Sequence, residues 1–309
     1  CICYSLYYLK KGMIYMNYYD EIKNELLNNE INKKIKDYSK NRSDLHTYYN
    51  VGKILYDAGK HYGEGIIKNY SIKLTKEIGK KYNSTNLKRM RQFYLLIEKG
   101  APIGHQLSWS HYRELIPLKD INAIKYYIYL CEKLNLTRNE LVIKIRNREY
   151  ERLDEETKSK IITRNKYSVV DFVKNPVLIK NNYNYEEISE KVLQKMILED
   201  IPSFLEELGN DFTFIKNEYK IKIGDRYNYI DLLLYNIEFN CYVVVELKVT
   251  ELKKEHIGQI EVYMNYIDNN LKKTNQDKTI GIIICKRDNK YIIEYASDKR
   301  ILTREYVVI

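Results

Sequence analysis

A chain of 309 residues, 44% apolar and 30% charged, is long enough for two domains that each bury a core. Twelve glycines and four prolines exclude collagen-like and low-complexity classes, and no apolar run approaches the roughly 18 residues of a membrane-spanning helix. The net charge of +10 is uneven: residues 1–170 hold 32 Lys+Arg against 19 Asp+Glu, whereas residues 171–309 hold 20 against 23. A polyanion-binding half joined to a carboxylate-bearing half gives this split, and so does surface lysine that only solvates.

The stretch 1–15 has no early positive charge and a short apolar run, a poor signal peptide. With Met13 and Met16 as plausible starts, it reads as a leader outside the native fold. The five cysteines (Cys1, Cys3, Cys131, Cys241, Cys285) are odd in number, and most sit in apolar segments far apart. That suits reduced core thiols, no structural zinc and a cytoplasmic setting. From residue 16 to 152 apolar residues recur at helical spacing, with helices expected over 21–38, 45–58, 65–82, 87–98, 123–134 and 138–148. Asn83-Ser84-Thr85-Asn86 offers capping oxygens to the helix opening at Leu87, whose first turns carry Lys88, Arg89 and Arg91. Cations there oppose the helix dipole, and a phosphate partner would relieve the conflict. An amphipathic helix with solvated lysines has the same pattern.

Residues 153–184 are charged, then rich in Asn, and read as a connection. Beyond it the period changes. A helix over 187–208 ended by Gly209 precedes strands at 212–223, 227–235 and 241–249, then a helix at 254–271, a strand at 279–285 and weaker extended segments at 291–295 and 306–309. Runs such as Val243-Val244-Val245 mark central strands covered on both faces, so residues 185–309 are expected to form an α/β domain with αβββαβ order.

Glu246-Leu247-Lys248 closes the apolar strand, and alternation sends Glu246 and Lys248 to one face, where neither is buried without a partner. Asp231 intrudes on the preceding apolar run, and adjacent antiparallel strands would bring it to Glu246. Two carboxylates repel unless a hard divalent cation lies between them. Asp231 and Glu246 would hold Mg²⁺ (or Mn²⁺), the Leu247 carbonyl is a further oxygen, and Lys248 would orient water and offset phosphate charge, the parts needed for phosphodiester cleavage. A partly buried ion pair at a strand end is the plain alternative. Gln259 and Tyr263, four apart on the next helix, present an amide and a phenol on one face. Trp109, beside His111, reads as packing first and stacking on DNA second.

Several ordered segments resemble a known family. FLEELG, YNYIDLLLYN, CYVVVELKV, EHIGQIEVYMNY and IGIIICKRD in the second half, with YGEGIIKNYS, NLKRMRQFY and LSWSHYRELI in the first, are similar to the YhcG-type bacterial proteins with a C-terminal PD-(D/E)XK nuclease domain. The resemblance implies a restriction-endonuclease-like core, an N-terminal winged-helix-like DNA-binding domain, metal-dependent hydrolysis of DNA, and catalytic roles for Asp231, Glu246 and Lys248. It points to Glu207 as the helix acid of the site, with Glu199 second, and finds Gln194 where an acid is expected. The expected activity is a DNA endonuclease or nickase, with a homodimer implied if both strands are cut. A degenerate nuclease-fold adaptor in a defence or mobile-element system and an RNA-processing nuclease are the rivals.

Overall fold

The computed structural model describes residues 18–31, 40–63, 65–163, 166–294 and 298–309. The leader, Cys1 and Cys3 lie outside them. The chain divides into two compact units, Cys1–Tyr150 and Glu151–Ile309. Among the described residues no helix is long and apolar enough to cross a membrane.

The secondary structure of the first unit's described residues is all helical: α1 (18–31), α2 (Lys40–Tyr62), α3 (Ile66–Glu77), a 3-10 turn at Lys80–Tyr82, α4 (Ser84–Glu98), α5 (Trp109–Leu115), α6 (Ile121–Leu134) and α7 (Arg138–Arg146). Fully buried Ile22, Leu26, Leu55, Tyr70, Leu87 and Phe93 recur at the helical period that the sequence shows. The expected cap is present: Asn83 accepts from Asn86 N at 3.0 Å, although α4 opens at Ser84 rather than Leu87. The helix expected over 65–82 stops at Glu77, because Gly79 takes φ 150, a value that no helix continues through. A winged helix needs strands for its wing, and among the described residues this unit has none.

The second unit holds a six-stranded sheet in the order β1-β6-β5-β4-β3-β2: β1 (Val177–Ile179), β2 (Phe212–Ile223), β3 (Arg226–Asn236), β4 (Cys241–Glu251), β5 (Asp277–Arg287) and β6 (Ile301–Val308). β2, β3 and β4 form an antiparallel meander, and β4, β5, β6 and β1 run parallel. The helices are α8 (Glu155–Thr163), α9 (Glu190–Glu199), α10 (Ile201–Leu208), α11 (Lys254–Asn270) and α12 (Lys290–Glu294). A parallel β4–β5 pair requires a crossover, which α11 supplies. Val243 and Val245 pack with Leu193, Phe204 and Leu208 on the α9–α10 face, while Val244 packs with Ile260, Met264 and Ile267 on the α11 face. The apolar run in β4 is therefore buried on both sides. A Cβ on Gly281 would lie 2.6 Å from Met264 Sδ, so glycine there lets α11 settle onto β5.

The expected αβββαβ order is present as α10-β2-β3-β4-α11-β5, with three differences. The single helix over 187–208 is two, because Pro202 cannot continue the α9 hydrogen bonds and Asp200 instead caps α10 by accepting from Ser203 N at 3.2 Å. The stretch 153–184 is more than a connection: it supplies α8, and Val177-Leu178-Ile179 adds β1 to the edge of β6. Arg304 pins it, bonding Asp154 and donating to Val173 O at 3.1 Å. The segment expected to be extended near Tyr291 is the short helix α12, and the terminal strand begins at Ile301.

Candidate active site

Strands β3 and β4 keep their ladder from Asn236↔Cys241 to Leu232↔Val245, and the next step would oppose Asp231 to Glu246. There the backbone pairing gives way to a side chain: Asp231 Oδ2 accepts from Leu247 N at 2.8 Å. In a ladder the N–H and C=O of one residue face the same neighbour, so the Leu247 carbonyl is directed to the same opening. Residue 230 packs into the α11 core but residue 232 into the α9–α10 core, so the strand turns over at Asp231. Opposite that turn, Glu218 in β2 takes φ 46, a left-handed backbone that glutamate adopts only under constraint.

Glu246 is 1% exposed and Lys248 is 9% exposed. Lys248 Nζ donates to Glu246 Oε2 at 3.3 Å, while Glu246 Oε1 is buried with no hydrogen-bond partner. Burial, then the Asp231 carboxylate, pushes the Glu246 carboxyl up to about 8 despite Lys248 beside it. Burial also raises Asp231, opposed by the Leu247 N–H and by Lys248, and reinforced by Glu190 and Glu218. For Lys248, burial acts downward, but Glu246, Glu190 and Asp231 together hold the ammonium above the usual lysine range. Two carboxyl groups, both disfavoured as anions, and one ammonium thus share a poorly solvated pocket with one carboxyl oxygen unmatched.

Helix α9 supplies two more groups. Glu190 Oε2 lies 3.9 Å from Lys248 Nζ, and one turn on, Gln194 Nε2 donates to Asp231 O at 3.0 Å. Gln194 thereby holds the backbone that carries Asp231. On α11, Gln259 Nε2 donates to Tyr263 Oη at 3.0 Å, and the Tyr263 phenol is raised by burial, with Glu246 and Asp231 among the charges acting on it.

Glu207 stands elsewhere, contrary to expectation. Arg152 holds both its oxygens and Leu178 N donates to it at 3.0 Å, which ties α10 to β1. Glu199 accepts from Tyr185 Oη at 2.7 Å. The acid that faces the cluster is Glu190, the first residue of α9 after the Ser189 cap and one turn before Gln194. In the first unit Lys88 is exposed and Arg89 half-buried, while Arg91 packs toward Gly59 of α2. Trp109 packs between Tyr48 and Phe93, with ring centroids at 4.9 and 5.6 Å. Cys131, Cys241 and Cys285 are free and buried, as expected of core thiols.

Among the described residues no group of three or more His, Cys, Asp or Glu side chains is arranged to hold a metal. Asp231 and Glu246 are a two-carboxylate set, which suits Mg²⁺ because that ion keeps several waters and takes one or two carboxylates plus phosphate oxygen. The unpartnered Glu246 Oε1 fits such a cation.

Residues 170–308 match the YhcG PDDEXK nuclease domain, and residues 24–152 match the DUF1016 N-terminal domain. The protein named "Putative nuclease YhcG" of Escherichia coli (strain K12) is 22% identical over 294 residues, covering 81% of this chain and 78% of that one. Among solved structures, a repair endonuclease from Pyrococcus abyssi is 19% identical with a TM-score of 0.28, over 40% of this chain and 48% of that one. The EndoMS-dsDNA2 complex is 21% identical with a TM-score of 0.29, over 40% and 47%. The chain thus spans about half the length of these solved structures. Residues 24–152 belong to the DUF1016 N-terminal domain family and residues 170–308 to the YhcG PDDEXK nuclease domain family, in a chain related to YhcG of Escherichia coli.

Proposed function

We propose that the chain is a DNA endonuclease or nickase dependent on Mg²⁺ or Mn²⁺, with Asp231, Glu246 and Lys248 as its cleavage centre and the basic helical unit as its grip on DNA. The observation that carries this reading is the buried, unpartnered Glu246 Oε1 beside a second carboxylate, in a domain of nuclease lineage. Asp231 and Glu246 would hold the cation, which when bound polarises the scissile phosphate and lowers the pKa of a bound water.

The chain's own groups account for the rest. The Leu247 N–H and the Gln194 amide fix Asp231 from both its side chain and its backbone, so its orientation is set before substrate arrives. Lys248 keeps its proton at neutral pH, so it acts as a donor that orients the attacking water and offsets charge growing on phosphate, not as a base. Glu190 holds Lys248 from the far side. Gln259 and Tyr263 line the same face and offer donors to water or phosphate. On α4, exposed Lys88 with Arg89 beside it meets the DNA backbone, and Arg91 supports the helix against α2. One centre per chain nicks one strand, and a double-strand break requires a second copy.

Purified protein with Mg²⁺ is expected to nick or linearise supercoiled plasmid, to leave RNA of matching sequence intact, and to lose activity in Asp231→Ala and Lys248→Ala. Equal cleavage by those variants sinks the assignment, and preferential cutting of RNA transfers it to RNA processing.

A further inference from the structure

The β2–β3 hairpin is longer than the sheet it belongs to. Pairing with β4 ends at Leu232, yet β2 and β3 continue together through Tyr219↔Ile230, Lys220↔Tyr229 and Lys222↔Tyr227 to Ile223↔Arg226, closed by Gly224 at φ 59. Glycine supplies the positive φ that a two-residue hairpin turn demands. The arm therefore begins at the residue that carries the Asp231 carboxylate and projects past it.

Its two faces differ. Tyr219, Ile221 and Ile230 pack against the α11 core. The opposite face presents Lys220, Lys222, Tyr227 and Tyr229, all exposed, as two Lys–Tyr cross-strand pairs. Tyr227 and Tyr229 are 56% and 51% exposed, high for rings in a paired strand. Lys220 Nζ lies 3.8 Å from the Tyr227 ring centroid, so the cations and rings form one surface. The acids of the arm, Glu218 and Asp225, stand at its base and in its tip, outside this four-residue patch.

We infer that this face of the hairpin is a platform on which an unpaired stretch of DNA strand lies as it leads into the cleavage centre. The inference rests on the nuclease reading and adds the form of substrate. Lysine charge is complementary to phosphate, and exposed phenol rings offer stacking surfaces that only unstacked bases can use. Tyr227 and Tyr229, two residues apart on one strand, are spaced by about 7 Å, about twice the roughly 3.4 Å rise of stacked bases, a separation that suits bases drawn apart from one another. Tyr229 lies two positions before Asp231, where β3 turns over, so a strand held on this face runs toward the residue that carries the carboxylate.

The test uses the full chain in EDTA, where nothing is cut, and reads fluorescence anisotropy of a labelled mixed-sequence oligodeoxynucleotide, single-stranded and as its duplex. Replacing Tyr227 and Tyr229 together by alanine is expected to weaken single-strand binding about tenfold or more, given the size of base–aromatic stacking. The phenylalanine pair should bind as the wild type does, and duplex affinity should change little. Replacing Lys220 and Lys222 by alanine should flatten the salt dependence of single-strand binding by about one phosphate's worth or more. Unchanged binding in the alanine pair, an equal loss in the phenylalanine pair, or an equal loss on duplex overturns the inference. The two readings separate in the same preparations: Asp231→Ala that still cuts with Mg²⁺ refutes the cleavage centre and leaves the platform standing. Asp231→Ala that fails to cut, with tyrosine variants that bind normally, does the reverse.

Discussion

Replacing Glu246 by glutamine is expected to stabilise the metal-free protein while abolishing its cleavage of DNA. The wild-type carboxyl has a pKa of about 8 against an ordinary 4.5, because burial and Asp231 both disfavour its ionised form. A folded-state value above the unfolded one means that the folded protein binds more protons, so stability falls as pH rises between the two values and levels off above the higher one. At about 1.4 kcal/mol per pH unit, this burden is roughly 3 kcal/mol at pH 7. Glutamine removes it but leaves an amide donor where Oε1 has no partner, at a cost of about 1–3 kcal/mol. The net gain is on the order of 1 kcal/mol at pH 7 and larger at pH 8, which raises the melting midpoint by about 2–4 °C per kcal/mol. Thermal melts in EDTA at pH 5 and pH 8, followed by circular dichroism, read the difference directly. A glutamine variant that melts below the wild type at pH 8, or by the same margin at both pH values, refutes the electrostatic reasoning.

Other substitutions separate structural from functional roles. Glu207→Ala leaves the nearly buried Arg152 without its carboxylate partner, though still bonded to Pro176 O, and should lose about 3–5 kcal/mol of stability. Plasmid cleavage well below its melting midpoint should nonetheless match the wild type, and a fall there would return Glu207 to the site. Gln194→Ala leaves the Asp231 carbonyl without its donor, and is expected to cost about 1–2 kcal/mol while lowering kcat more than it raises KM. Unchanged kcat would remove Gln194 from the positioning role. Lys88→Ala should leave the melt unchanged and make the salt dependence of duplex binding shallower by about 0.9, the share of one phosphate contact, and an unaltered slope would take α4 out of the DNA interface.

The sequence made the centre of the site legible because strand alternation is a local rule. Glu246 and Lys248 face one way along β4, and Asp231 in the neighbouring apolar run had to meet them across an antiparallel pair. Glu190 was not legible in the same way. Its approach to Lys248 depends on how α9 packs across the sheet, a tertiary fact to which no periodicity speaks. Glu207 was singled out by the family resemblance of the FLEELG segment, yet its burial serves Arg152 and the β1 edge. The break at Asp200 could be read from Pro202, whereas β1 could not be foreseen, since a three-residue strand exists only because β6 offers it an open edge. Glu218 shows the same limit: only the folded hairpin forces its backbone into the left-handed region opposite Asp231.

The central claim is that Asp231 and Glu246 together grip one divalent cation beside Lys248. Mn²⁺ titration of the DNA-free protein, read by paramagnetic resonance of the free ion, tests it most directly. The account predicts uptake by the wild type and by Glu207→Gln, and its loss in both Asp231→Asn and Glu246→Gln. Undiminished uptake by those two variants, with their folds intact by circular dichroism, would contradict it.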